Sequence, residues 1–73
     1  MNKVIDELTK LSLKELLEIH SELKKETIEN DSLVRKICSK VYNVNVEKTN
    51  VQMFMSIAIN LEYIFGEILK SRN

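Results

Sequence analysis

Nothing in this chain forces a helix to stop: it contains no proline, and Gly66 is its single glycine. Proline and glycine are the strongest local punctuation a sequence has, so helices here can run long. Strand signals are weak as well, because apolar residues recur at three- and four-residue steps and not at alternate positions. An all-α fold follows.

The apolar pattern divides the chain into four helical segments. In 3–10, Val4, Leu8 and Leu11 fall on one stripe while Asp6, Glu7 and Lys10 face outward. Continued, that stripe would meet Glu15, Glu18 and Glu22, so its phase breaks near Ser12. Ser12 and Glu15 form S-x-x-E, a capping box that opens a second helix over 13–29. Leu13, Leu16, Leu17, His20 and Leu23 make its apolar face, widened by Ile19 and Ile28. Lys14 with Glu18 and Glu22 with Lys25 occupy the solvated side.

Asn30, Asp31 and Ser32 form a turn and N-cap cluster before a third helix over 32–42. Leu33, Val34, Ile37, Cys38 and Val41 share its buried face, and Arg35, Lys36, Ser39 and Lys40 the other. Residues 43–46, Asn-Val-Asn-Val, break the pattern. Asparagine tolerates left-handed backbone, so a loop with a short extended piece is expected. Thr49 and Gln52 make a second capping box, T-x-x-Q, opening a fourth helix over 50–70. The expected architecture is one domain, residues 1–73: a compact all-α bundle of three long helices plus a short N-terminal one.

A domain of 73 residues has a marginal core and often needs a staple. One cysteine rules out a disulfide within the chain, and Cys38 and His20 are too few soft ligands for a metal cage. Neither a metal nor another cofactor is expected. Self-association is the staple that remains. Eleven basic and eleven acidic side chains cancel, which argues against a general nucleic-acid or membrane-surface binder. The first residues meet acids where a secretion signal has an apolar core, and Gln52, Ser56, Asn60 and Glu62 interrupt the most apolar stretch too often for a membrane span. The expectation is a soluble, cytoplasmic protein.

The fourth helix carries the most informative pattern. On a wheel at about 100° per residue, Phe54, Ile57, Ala58, Leu61, Ile64, Phe65 and Ile68 form a core stripe. Gln52, Ser56, Asn60, Glu67 and Lys70 form a polar strip around Tyr63. Met55, Ile59, Glu62 and Gly66 form a separate flank, with Val51 and Leu69 between flank and stripe. A glycine inside a helix costs roughly 1 kcal/mol relative to alanine, and close approach of another backbone is one physical return. The flank is therefore expected to touch something: another part of the chain, a second copy, or a different protein. Glu62 then requires a cation or donor nearby.

Other side chains read more plainly. His20 lies among leucines without a nucleophile or second histidine at helical spacing, and reads as a packed or interface residue. Cys38 reads as a small buried hydrophobe. No glycine-rich phosphate loop, H-E-x-x-H, C-x-x-C or nucleophile elbow is present, and no catalytic residues are assigned. The expected function is that of a non-catalytic interaction or regulatory module, such as an inhibitor, adaptor or assembly factor. It would bind protein through Met55, Ile59, Glu62 and Gly66 and self-associate as a homodimer. The alternative is a small helix-turn-helix-like DNA-binding regulator that uses a basic face of Arg35, Lys36 and Lys40.

Overall fold

The computed structural model describes residues 2–71 and contains four α-helices: α1 Lys3–Thr9, α2 Leu13–Leu23, α3 Leu33–Tyr42 and α4 Val51–Ser71. No strand occurs among the described residues. None of the described helices is long and apolar enough to cross a membrane. The all-α bundle expected from the periodicity is the observed fold.

Each helix start has a chemical cause. Asn2 caps α1 by accepting the Val4 and Ile5 N–H groups, and its amide also donates to Asn60 Oδ1 at 2.9 Å, tying α1 to the middle of α4. At α2 both halves of the capping box form: Ser12 Oγ accepts the Glu15 N–H and Glu15 Oε1 accepts the Ser12 N–H. Ser32 caps α3, and Asn43 ends it in left-handed backbone at φ 56°. The cap of α4 differs from expectation. Asn50 Oδ1 accepts the Met53 N–H, while the Thr49 hydroxyl donates to Val46 O at 2.7 Å inside the preceding turn. That turn is a single 3₁₀ turn, Val46–Lys48, and it follows residues 43–45, which form the expected loop without a strand.

The second helix is also shorter than its periodicity suggests. It ends at Leu23, not near residue 29. Lys24 and Lys25 N–H groups bond three residues back, to Ser21 O and Glu22 O, which tightens and closes the last turn. Beyond Leu23 a continued helix would add one apolar side chain, Ile28, among five charged or polar ones. Folding back offers more. Ile28 packs against the core, and the Glu22 carboxylate receives the N–H groups of Leu33 at 3.0 Å and Val34 at 2.9 Å. Glu22 was expected on the solvated side with Lys25; it caps α3 instead.

The core lies where all four helices meet. Leu8 from α1, Ile19 from α2, Val34 and Cys38 from α3, and Ile57 and Leu61 from α4 are fully buried. Glu7, expected to face outward, is 8% exposed. It stands three residues after Val4, a position that shares the apolar stripe, and α3 closes over it. Lys10 and Lys40 Nζ both lie 3.1 Å from its carboxylate. Hydrogen bonds from Lys10 and then Lys40 hold the Glu7 carboxyl below its ordinary range.

Candidate protein-interaction surface

The residues that frame the surface come from α2 and α4. Leu13, Leu17 and His20 share a groove of about 300 Å³ with Phe65, Ile68 and Leu69. Leu23 and Ile28 share a second cleft of about 500 Å³ with Val51, Phe54, Met55 and Ala58. The start of α2 thus faces the end of α4, and its end faces the start of α4. The two helices are antiparallel, and both openings lie along one seam. His20 fits edge-on to the Phe65 ring, with centroids 5.7 Å apart, so it packs within the seam.

At about 1.5 Å per residue, the 21 residues of α4 span about 31 Å and the 11 of α2 only about 16 Å. Met55 is 58% exposed and Ile59 66%. Val51 and Leu69 are exposed to a similar degree, and Leu13 and Leu17 about half exposed. Five of these side chains line the two openings of the seam, and Ile59 stands exposed on the same flank of α4, one turn beyond Met55.

Among the described residues, no other element covers the flank. A Cβ added at Gly66 would meet no atom of the described residues within 4 Å beyond its own helix turn, so none of their backbone from another element approaches it closely. Glu62 is exposed rather than enclosed, and needs no counter-ion within the monomer. Leu13 and Leu17 were placed on the buried face of their helix, yet they belong to the open seam. The width of that face was the available signal. Leu16, Ile19 and Leu23 already form a sufficient core stripe, and Leu13 and Leu17 make a second row at i, i+4.

The basic face expected on α3 is not assembled. Arg35 is turned inward. Its Nε donates to Ile28 O at 3.0 Å, and one terminal nitrogen donates to Val46 O at 3.1 Å and Thr49 Oγ1 at 2.7 Å. Its guanidinium sits 5.3 Å from the Phe54 ring centroid. The side chain joins two connecting segments to α4. Lys40 is engaged with Glu7, and Lys36 lines a cleft with Glu18, Glu22, Glu29 and Asp31. The three residues contribute to different local clusters, and acids dilute the one that is free.

Cys38 is fully buried on α3, and burial pushes its thiol up to about 11. Among the described residues, no three His, Cys, Asp or Glu side chains gather as a potential metal site. The sequence matches no protein-family model, no curated protein and no solved structure.

Proposed function

We propose that this chain is a small, non-catalytic interaction module that binds protein through the α2–α4 seam and self-associates. One observation carries the reading: exposed apolar side chains run the length of α4 on one side, from Val51 through Met55 and Ile59 to Leu69, and continue onto Leu13 and Leu17. Apolar side chains scattered singly over a surface need no explanation. A contiguous patch of several hundred Å² is the usual mark of an interaction site. The seam is also concave at two places, so it offers both ridges and pockets to an apolar helix. An inhibitor, an adaptor or an assembly factor would each use such a surface.

Ile59→Lys tests this reading, with Glu67→Lys in the polar strip of α4 as the control. Ile59 and Glu67 are both exposed, so a lysine at either position leaves the core untouched. In sedimentation velocity the Ile59 variant is expected to run as a monomer at concentrations where the wild type and the Glu67 variant are dimers. Equal dimerisation of all three would remove the seam from the interface.

A further inference from the structure

We infer that a second copy of the chain covers the seam, with the two α4 helices antiparallel across a two-fold axis and Met55 of each copy seated over Gly66 of the other. This deepens the reading of the seam as a self-associating surface and rests on it.

Spacing gives the first argument. Met55, Ile59, Glu62 and Gly66 follow one another at steps of four, three and four residues. That series reads the same in both directions, as a two-fold contact requires, because each residue i that meets j must also meet it from the other side. Reversal pairs the first position with the last and the second with the third. The long, adaptable Met55 side chain then faces the one position without a side chain, and the space above Gly66 is open to receive it. Ile59 lies against the methylene stem of Glu62. A parallel pairing would place methionine on methionine and leave a hole between two glycines.

Charge gives the second argument. The chain is neutral overall, so two copies approach without net repulsion. Lys25 and Glu26 both line the cleft beside Met55, and Glu62 lies in the half of α4 that contains Gly66. The two-fold carries this Lys25–Glu26 end of one copy toward the Glu62 half of the other, twice. Lys25 is then the cation available to Glu62 once it is covered.

Area gives the third. The face is about 31 Å long on α4, and α2 lies beside it over about 16 Å of that length at an axis spacing of about 8–10 Å. A specific interface uses roughly 800 Å² per partner, and a face of this length and width is of that order. The whole accessible surface is 5215 Å², so the contact would cover roughly 15% of it.

The test is a disulfide exchange between two single variants, Met55→Cys and Gly66→Cys, one of them isotopically labelled. Cys38 is fully buried and stays out of the reaction. Mixed in equal amounts and oxidised, the chains are expected to form 55–66 cross-links at least tenfold in excess of 55–55 and 66–66. A dimer that cross-links 55–55 and 66–66, or at neither position, overturns this arrangement while leaving self-association standing. Monomers at every concentration overturn both. Gly66→Leu guards against an effect of the new thiols. It should weaken the dimer at least tenfold with the helical circular dichroism of the monomer intact, and adding Met55→Ala should restore most of the affinity. A Gly66→Leu dimer as tight as wild type contradicts the seating of Met55.

Discussion

The carboxylate of Glu22, at the end of α2, accepts the backbone N–H of Val34 in the first turn of α3 at 2.9 Å, and its other oxygen takes the N–H of Leu33 at 3.0 Å. Ser32 Oγ takes the N–H of Arg35. The first amides of α3 are therefore satisfied by side chains from two places, one of them a negative charge at the positive end of the helix. Glu22 does for the third helix what a capping box does locally, but across a connection of nine residues, 24–32.

Glu22→Ala leaves two helix-start amides without their acceptor. The expected loss is about 1–2 kcal/mol of unfolding free energy, read as a lower urea midpoint at unchanged slope. Glu22→Gln keeps an acceptor oxygen and loses less. An Ala variant as stable as wild type would mean that solvent satisfies those amides equally well.

Glu7 makes stability depend on pH. Lys10 and Lys40 lower its folded carboxyl below the unfolded value of 4.5. A depressed carboxyl contributes stability that is fully present above its unfolded value and is lost as pH falls through the folded one. The melting temperature should therefore drop as pH goes from about 5 downward, and Glu7→Gln should flatten that part of the curve. Parallel curves for the two proteins would contradict the Glu7 pairing.

Arg35→Lys is not a conservative change here. Lysine has no planar fork to reach Ile28 O, Val46 O and Thr49 Oγ1 together, and it stacks less well on Phe54. A loss of about 2–3 kcal/mol is expected from thermal or urea unfolding. Hydrogen exchange should quicken in the two connecting segments, 24–32 and 43–50, before it does in the helices. An unchanged exchange pattern would show that these segments hold their shape without the arginine.

The helices were readable in the sequence wherever the signal was local. Ser12 with Glu15, Ser32 and Asn43 sit at the boundaries they mark. The failures share one cause, which is that a neighbour in space outbid a neighbour in sequence. Thr49 satisfies Val46 O and Arg35, leaving Asn50 to cap α4. Good helix formers continue past Leu23, yet Ile28 in the core and Glu22 on α3 favour the turn. Glu7 and Arg35 lie on faces that a single-helix wheel calls outward, and a second element covers each. The flank of α4 stood out for the opposite reason: its apolar content exceeded what one core stripe uses. A wheel registers that excess.

The molar mass of the unmodified chain, measured by light scattering over a dilution series at low and moderate salt, decides whether the seam is covered by a second copy. A species of twice the 8.5 kDa chain mass is expected, one that persists in salt, because an apolar seam is insensitive to screening, and that dissociates only on dilution. A mass of 8.5 kDa at every concentration would contradict it.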